Sequence, residues 1–313
     1  MEYRVLGRTG LNVSVAGMGC GGPSRLGMRH GATEEEAAEV VRAALDAGIN
    51  FLDTAEAYGT EGAVGKAIRG VARDSVVIST KIPAVDRNGP VRAADFEARL
   101  DACLSRLGTD YVDILHLHGV VSDEYDHAVN ELVPTMQRLQ EAGKLRFLGI
   151  TEAFGPDPSH QMMHRALSDG YWDVVMVGFN ILNQSARQTV LPTTRNHDIG
   201  VLCMFAVRRA LADPDKLRGI IEELIERGEV DAENFDRKDP LGFLTVQGAA
   251  QTIPDAAYRF CREEPGIHVV LTGTGNKDHL HENIASLNAS PLPDAITQQL
   301  QEMFAGVDSV SGN

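Results

Sequence analysis

Short apolar runs alternate with longer amphipathic stretches along the whole chain, and no Pro/Ser-rich linker divides it. Within each run nearly every residue is apolar, which is typical of strands that are buried on both faces. The pattern therefore predicts eight buried strands. They lie at residues 13–19, 48–53, 75–81, 111–118, 144–150, 173–179, 200–205 and 267–273.

Amphipathic helices are predicted between these runs. In residues 33–48 apolar side chains recur at helical spacing, Thr33 and Glu36 form a capping-box signature, and a glycine ends the segment. Residues 96–108 and 128–143 repeat this design, each ending in a glycine. Such alternation of strand and helix is typical of parallel sheets.

Eight strand-helix units favour a closed (β/α)8 TIM barrel, which we expect to form a single domain over residues 1–313. An open, doubly wound sheet is the alternative. Such a sheet normally carries a glycine-rich phosphate turn between its first strand and the next helix. The nearest candidate, residues 17–22, does not lead directly into a helical pattern, so the barrel is preferred.

Two segments depart from the repeating pattern. Residues 2–15 contain two β-prone stretches around turn-forming residues, which predicts an N-terminal β-hairpin that could close the bottom of the barrel. Residues 213–239 contain ten acidic and five basic side chains around a helix-like core. We interpret this segment as a helical insertion between units seven and eight, in the simplest case a solvated helix without a chemical role.

The chain carries 29 basic and 44 acidic side chains, a formal net charge of −15. This excess of acid argues against nonspecific binding to nucleic acid or to an anionic membrane surface, because both require a basic face. It does not exclude small molecules that bear phosphate. The sequence contains no feature from which we predict an oligomeric state.

The cysteines and the N-terminus favour a cytoplasmic protein. The start of the chain lacks the charged-then-apolar pattern of a signal peptide, and no window reaches the length of apolar sequence that a membrane span needs. The cysteines are widely spaced without a CxxC pair, which predicts reduced thiols rather than disulfides or a zinc site. They are Cys20, Cys103, Cys203 and Cys261.

Polar side chains gather where three consecutive predicted strands end, the end at which TIM barrels carry their active sites. Asp53 ends the second strand, Tyr58 follows it, Lys81 ends the third, and His118 ends the fourth. A buried lysine beside a tyrosine lowers the pKa of the phenol, and a carboxylate keeps the ammonium charged. Such a tyrosine can transfer a proton at physiological pH. We interpret His116, one pleat deeper, as a packed and hydrogen-bonded core residue, with a proton shuttle as the alternative.

These residues, in this order and spacing, resemble the motifs of the aldo-keto reductase family. The resemblance extends from YRVLGRTGLNVSVAGMGCGG through FLDTAEAYGTEGAVGKAI, ISTK and DYVDILHLHG to TGTGNKDHLHENI, and it is greatest to the bacterial sugar-dehydrogenase and general aldehyde-reductase branches. It implies an oxidoreductase that transfers a hydride between C4 of a nicotinamide and a small carbonyl or alcohol substrate, an aldehyde, ketone or sugar. No metal is implied.

The resemblance also implies a role for each catalytic candidate. Tyr58 would be the general acid in reduction and the base in oxidation, with Lys81 lowering its pKa. Asp53 would hold Lys81, and His118 would orient the substrate oxygen. Substrate-pocket candidates mix apolar and basic side chains. They are Met18, Arg25, Val120, Phe205 and Arg208.

By the same resemblance, residues at the ends of the later strands would contact the cofactor. Thr151, Glu152 and Met176 match the positions that hold the nicotinamide carboxamide, where the family usually has Ser, Asn and Gln. Asn180 is an alternative to Met176. Met204 and its neighbour Phe205 match the region that stacks on the nicotinamide, and a methionine can also pack on a flat ring.

The adenosine and phosphate end would be bound by the loop and helix after the last strand. The resemblance favours NADP(H) as cofactor, and NAD(H) is the alternative because Gly275 and His279 stand where an arginine often grips a 2′-phosphate. Lys277 is the one firm cation nearby. The departures from the family also leave a second hypothesis, a cofactor-binding regulatory or scaffold protein with little turnover. The contacts expected here are Gly273, Thr274, Gly275, Lys277, His279, Glu282 and Asn283.

Overall fold

Eight of twelve strands close into a parallel barrel in a computed structural model that describes residues 1–313. The barrel follows chain order, and its last strand pairs back to its first. The predicted TIM barrel is thus confirmed over the open sheet. The strands are β1 (Tyr3–Val5), β2 (Asn12–Ser14), β3 (Ala16–Gly19), β4 (Phe51–Asp53), β5 (Val77–Ile82), β6 (Val85–Asp86), β7 (Gly89–Pro90), β8 (Val112–Val120), β9 (Leu145–Glu152), β10 (Val174–Gly178), β11 (Gly200–Met204) and β12 (Val269–Thr272).

Each predicted apolar run coincides with one barrel strand, formed by β3 to β5 and β8 to β12. The first run was expected over residues 13–19, but β3 begins only at Ala16. The preceding residues belong to β2, which pairs antiparallel with β1 so that Tyr3 lies opposite Ser14. The continuous apolar run therefore spans two strands, β2, which pairs within the hairpin, and β3, which pairs within the barrel.

The N-terminal hairpin closes the bottom of the barrel, as predicted. Leu6 and Leu11 belong to a cluster of ten buried residues that also contains interior side chains of the barrel strands, among them Phe51 and Val77. The hairpin approaches the barrel closely, because a Cβ atom at Gly7 would lie 2.5 Å from the carbonyl oxygen of Asp198. Gly7 has a φ of +46°, so a larger residue there would be both strained and obstructed.

The helices lie around the barrel, and their capping agrees with the sequence. Thr33 Oγ1 accepts a hydrogen bond from the Glu36 amide while the Glu36 carboxylate accepts one from the Thr33 amide. The helices are α1 (Glu34–Asp46), α2 (Glu61–Ala67), α3 (Ala93–Leu107), α4 (Tyr125–His127), α5 (Val133–Glu141), α6 (Gln161–Asp169), α7 (Ala186–Thr189), α8 (Leu191–Asn196), α9 (Arg209–Ala212), α10 (Pro214–Glu226), α11 (Phe243–Val246), α12 (Ile253–Arg262), α13 (Lys277–Asn288) and α14 (Asp294–Met303).

One predicted helix is less regular than its pattern. Residues 128–143 were expected to form a continuous α-helix, but Ala128–Leu132 is a π-helical turn and α5 follows it. Pro134 lies in the first turn of α5. Because proline has no amide hydrogen, it cannot continue the α-helical hydrogen bonds of the preceding turn.

The acidic segment is helical, and it lies between the seventh and eighth barrel strands, as predicted. Its main element, α10, begins at an N-cap formed by Asp213 and buries Leu217, Ile221 and Leu224 along one face. Its charged residues lie mainly on the other side. No helix in the structure combines the length and apolar character needed to cross a membrane.

The hairpin closure predicts a difference between two neighbouring substitutions. Leu6 is fully buried, whereas Val5 is 58% exposed. Leu6→Ala should lower the free energy of unfolding by about 2–5 kcal/mol, because it leaves a cavity beneath the barrel. Val5→Ala should change it by no more than about 0.5 kcal/mol. Urea unfolding measures both, and equal effects would contradict a closing role for the hairpin.

Candidate active site

A buried ion pair lies inside the upper part of the barrel. Lys81 Nζ is 2.6 Å from Asp53 Oδ2, and it also donates to the Thr54 carbonyl oxygen at 2.8 Å. The Ser79 hydroxyl donates to the other Asp53 oxygen at 2.8 Å. Both charged side chains are almost completely buried. Their inward direction follows from strand alternation, since Val77, two pleats below Lys81, packs in the interior cluster.

The two members of this pair stabilise each other's charge. Burial alone would lower the pKa of Lys81, but the adjacent Asp53 carboxylate raises it. Burial raises the pKa of Asp53, and the Lys81 ammonium opposes that change. An ammonium in contact with a carboxylate and a carbonyl oxygen therefore stays charged.

Tyr58 lies on a short 3-10 turn, Glu56–Tyr58, directly after β4. Its hydroxyl is 3.4 Å from His118 Nε2, and Lys81 Nζ lies 5.0 Å from the centre of its ring. Gly21 packs against the ring so tightly that a Cβ atom there would come within 2.4 Å of it. The structure thus brings Asp53, Tyr58, Lys81 and His118 together at one corner of the barrel mouth.

The pKa of Tyr58 differs from the sequence expectation. A lowered pKa was expected from the neighbouring lysine. Burial raises the pKa of Tyr58, and the Lys81 ammonium lowers it without reversing the effect of burial. In this structure Tyr58 is therefore a neutral phenol at physiological pH, whose proton is available for donation.

The two histidines of β8 have different surroundings. Burial and the Lys81 charge lower the pKa of His118 to about 3, so its imidazole is neutral at physiological pH. His116 is packed, as expected, because a Cβ atom at Gly149 would lie 2.3 Å from its ring. The expected hydrogen bond is absent, since neither ring nitrogen has a partner. His116 is thus a neutral packing residue beside Lys81, its register partner on β5.

An arginine that the sequence analysis did not identify anchors the turn that carries Tyr58. Arg99, on α3, donates to Glu56 on that turn, with Nε 2.8 Å from Oε2. Its Nη1 donates to Asp86 at 3.0 Å. These residues are more than ten positions apart in sequence, so no local motif indicates the contact.

The three residues expected at the nicotinamide carboxamide are occupied by other contacts. Thr151 Oγ1 accepts a hydrogen bond from the Gly119 amide at 2.7 Å. The buried carboxylate of Glu152 accepts one from the Gly178 amide at 2.7 Å and lies 2.9 Å from His160 Nδ1. Met176 packs in the apolar cluster at the bottom of the barrel.

Aromatic side chains lie above this region instead. Phe154 lies over Gly178, where a Cβ atom would come within 2.1 Å of its ring. It stacks on His160 and meets the edge of Phe205, with ring centres 5.3 and 5.6 Å apart. Phe205 is half-buried and has a φ of +66°. Met204 is half-buried and packs against the interior cluster.

Asn180, the alternative to Met176 at the carboxamide, uses both polar atoms of its side chain in hydrogen bonds within the protein. Its amide nitrogen donates to the carbonyl oxygens of Phe205 and Ser311, both at 3.2 Å. Its oxygen accepts from the Leu182 and Asn183 amides. Asn180 therefore joins the end of the chain to the top of the barrel.

A cavity of about 460 Å³ lies beside the last barrel strand. Its walls include five of the residues predicted for the adenosine and phosphate end: Gly273, Thr274, His279, Glu282 and Asn283. The size and the mixture of apolar wall and polar groups fit an adenosine group. These residues are therefore brought together as expected.

The remaining two predicted contacts, Gly275 and Lys277, are engaged by neighbouring segments. A Cβ atom at Gly275 would lie 2.3 Å from the Gly27 amide nitrogen, so the loop after β3 packs directly on it. Lys277 Nζ lies 2.8 Å from the Glu39 carboxylate. The side chain of Asn276 accepts from two amides of the first turn of α13. Lys277, the one cation expected near the phosphate, and two amides at the start of α13 thus have protein partners in this structure.

Sequence comparisons relate the chain to oxidoreductases of known family. L-galactose dehydrogenase of Arabidopsis thaliana is 29% identical over 294 residues, covering 92% of this chain and 88% of that protein. The NADH-specific methylglyoxal reductase of Escherichia coli strain K12 is 26% identical over 339 residues, covering 98% and 100%.

Solved structures share the fold. The holo form of an aldo-keto reductase from Bacillus halodurans has a TM-score of 0.75 at 23% identity, covering 99% of this chain and 98% of that one. An aldo/keto reductase from Klebsiella pneumoniae in complex with NADP and acetate has a TM-score of 0.71 at 21% identity, with the same coverage.

The model of the aldo/keto reductase family matches residues 18–304, which is nearly the whole barrel. This match agrees with the fold and with the curated relatives. The chain therefore belongs to the aldo/keto reductase family of NAD(P)-dependent oxidoreductases.

Proposed function

We propose that this protein reduces the carbonyl group of a small aldehyde, ketone or sugar, and oxidises the corresponding alcohol, with Tyr58 as the proton-transferring residue. The observation that carries the proposal is the contact between the Tyr58 hydroxyl and His118 beside the buried Lys81–Asp53 pair. Three strand ends supply these groups to one corner of the barrel mouth, where barrel enzymes bind their substrates.

In reduction, Tyr58 acts as the acid. It begins as a neutral phenol because burial raises its pKa. As the proton leaves, negative charge forms on the phenolate, and the Lys81 ammonium near the ring stabilises that charge. Asp53 keeps Lys81 protonated and fixed in position. In oxidation the same phenolate accepts the proton from the alcohol.

His118 contributes as a neutral hydrogen-bond donor. Its low pKa keeps the ring uncharged, so in one tautomer Nε2 carries a hydrogen. That hydrogen and the Tyr58 hydroxyl can both point at one substrate oxygen, since the two groups are 3.4 Å apart. Two donors aimed at an oxygen that gains negative charge lower the barrier.

The cofactor, when bound, supplies or accepts the hydride through its nicotinamide C4. We propose that the 460 Å³ cavity holds its adenosine, with Glu282 and Asn283 as polar contacts. The half-buried pair Met204 and Phe205 would flank the nicotinamide. Thr151 accepts from the Gly119 amide through its oxygen but would still offer its hydroxyl hydrogen to the carboxamide, whereas Glu152 and Met176 are engaged elsewhere.

Both NADP(H) and NAD(H) are proposed as cofactors. The family resemblance favours NADP(H), but Lys277, the cation on which a 2′-phosphate would depend, is shared with Glu39. The related Escherichia coli protein is an NADH-specific methylglyoxal reductase. We therefore expect dissociation constants for NADPH and NADH that differ by no more than about tenfold.

Turnover decides between this proposal and a non-catalytic role. Purified protein is incubated with NADPH or NADH and a panel of aldehydes, ketones and sugars, and absorbance at the nicotinamide band is followed. The proposal predicts steady oxidation of the cofactor with at least one carbonyl compound. Tight cofactor binding with no turnover on any of them would favour the scaffold hypothesis instead.

Tyr58→Phe removes the phenol hydroxyl, and with it the transferred proton and the contact with His118. We expect kcat to fall by about 100-fold or more, while the dissociation constant of the cofactor changes by less than about threefold. Tyr111→Phe is the matched control, because Tyr111 lies just before β8 at the opposite end of the barrel. Stopped-flow kinetics and cofactor fluorescence measure the two effects. Retained turnover in Tyr58→Phe would exclude the assignment.

The His118 imidazole should stay neutral at pH values well below the usual histidine pKa. The measurement is NMR of protein with ¹⁵N-labelled histidine, in which the His118 ring signals are assigned by their loss in His118→Asn. Because the pKa of His118 is about 3, these signals should keep the chemical shifts of a neutral imidazole from pH 8 down to pH 5. An unfolded histidine takes up a proton near pH 6.5. His118 therefore destabilises the folded state as the pH falls below about 6.5. A midpoint near pH 6.5 in the folded protein would contradict the neutral donor.

Glu39→Gln should shift cofactor preference. Both Lys277 and Glu39 are exposed, so the gain from freeing the ammonium is screened, and we expect NADPH affinity to rise by about two- to fivefold. NADH affinity should stay unchanged. Glu35→Gln is the control. It removes the same charge from the same helix, but the Glu35 carboxylate pairs with Lys66 and not with Lys277. If the two variants affect NADPH equally, Lys277 is not the phosphate contact.

A further inference from the structure

The turn that carries Tyr58 is held by an arginine from a neighbouring helix. Two nitrogens of the Arg99 guanidinium donate to the Glu56 carboxylate: Nε lies 3.1 Å from Oε1 and 2.8 Å from Oε2, and Nη2 lies 2.5 Å from Oε2. Both side chains are half-buried. A planar guanidinium that donates twice to one carboxylate fixes the direction of the pair as well as its distance. Glu56 begins the turn and Tyr58 ends it.

The other edge of the Arg99 guanidinium is also fixed. Its Nη1 donates to Asp86 Oδ2 at 3.0 Å. Asp86 lies in the hairpin of β6 and β7, which follows the strand that carries Lys81. Arg99 therefore joins the segment after β4, which carries Tyr58, to the segment after β5. With carboxylates on two sides, the guanidinium has little freedom to move away from the turn.

The turn has few other contacts that could hold it. Ala57 and Gly59, on either side of Tyr58, are exposed. Apart from the Tyr58 hydroxyl, Glu56 is the only side chain of the turn that hydrogen-bonds to the rest of the protein. The contact of the Tyr58 hydroxyl with His118, at 3.4 Å, is longer than an ordinary hydrogen bond. The position of the phenol therefore depends on the turn, and the turn depends on Glu56.

We propose that Arg99 is a positioning residue for proton transfer: through Glu56 it holds the Tyr58 hydroxyl where it and His118 can meet one substrate oxygen. This inference rests on the proposed function, in which Tyr58 transfers the proton. A displacement of a reacting group by about 1 Å can lower a rate by about 100-fold. Loss of Arg99 should therefore slow the chemical step and leave the binding of cofactor and substrate nearly unchanged.

The kinetic test follows a single turnover of NADH with pyridine-3-carboxaldehyde, an electron-poor aldehyde. For Arg99→Gln we expect the rate constant at saturating aldehyde to fall by about 10- to 100-fold. The dissociation constant of NADH and the KM of the aldehyde should change by less than about threefold. Arg99→Lys keeps the charge without the planar fork and should recover part of the rate. Arg92→Gln is the matched control, because Arg92 directly precedes the same helix and pairs with Asp95.

A double-mutant cycle shows whether Arg99 acts through Glu56. Glu56→Gln should lower the single-turnover rate to a similar extent, and Arg99→Gln/Glu56→Gln should lower it no further than the slower single variant. If Arg99→Gln does not fold, Glu56→Gln carries the same kinetic prediction. Losses that multiply in the double variant would overturn the proposal. An equal loss in Arg92→Gln, or an equal weakening of NADH binding in Arg99→Gln, would also overturn it.

An NMR measurement separates this inference from the proposed function, because it needs no turnover. The ¹⁵N shift of His118 Nε2 reports the contact with the Tyr58 hydroxyl, and Tyr58→Phe gives the shift without that contact. In Arg99→Gln the signal should move from its wild-type position toward that of Tyr58→Phe, and in Arg92→Gln it should stay in place.

The two measurements can fail independently. If the wild type reduces no carbonyl compound, the proposed function is wrong, while a moved His118 signal in Arg99→Gln still supports the positioning of Tyr58 by Arg99. A signal that does not move in Arg99→Gln overturns the inference. A wild-type signal identical to that of Tyr58→Phe overturns it as well, because Arg99 would then have no contact to maintain.

Discussion

The buried ion pair of Lys81 and Asp53 is the interaction on which the site depends. Removing two charges from water is costly, and the cost is offset only because each charge meets the other and a further hydrogen-bonding group. Here Ser79 and the Thr54 carbonyl oxygen complete the coordination. Removing one partner would leave the other unpaired, at a cost of about 3–5 kcal/mol. The pair therefore fixes one positive charge at a defined point in the barrel.

That charge sets the protonation of its neighbours. It opposes the effect of burial on Tyr58, and it adds to the effect of burial on His118. The result is a neutral phenol next to a neutral imidazole, with an ammonium ready to stabilise the phenolate. The apolar cluster below, closed by the N-terminal hairpin, keeps water from the lower barrel. The polar site lies above it, on strands whose positions that cluster fixes.

The sequence predicts what depends on local pattern. Apolar runs and capping signals identified eight strands and the helix after Thr33, because burial and capping follow from neighbouring residues. The corner formed by Asp53, Tyr58, Lys81 and His118 also follows, since parallel strands bring their ends together. Contacts between distant segments do not follow. The Arg99–Glu56 pair and the covering of Gly178 by Phe154 depend on which loops meet in three dimensions.

The pKa of Tyr58 likewise could not be predicted from local sequence pattern. The sequence identifies Lys81 as a neighbour, but the extent of burial, which outweighs it, is a property of the packed structure. The titration of Tyr58, followed by NMR with ¹³Cζ-labelled tyrosine, is the most direct test. Lys81→Met/Asp53→Asn removes both charges and leaves no unpaired ion. Because Lys81 influences Tyr58 more than Asp53 does, Tyr58 should titrate at a higher pH in this variant than in the wild type. Titration at the same or a lower pH would contradict the role of the ion pair.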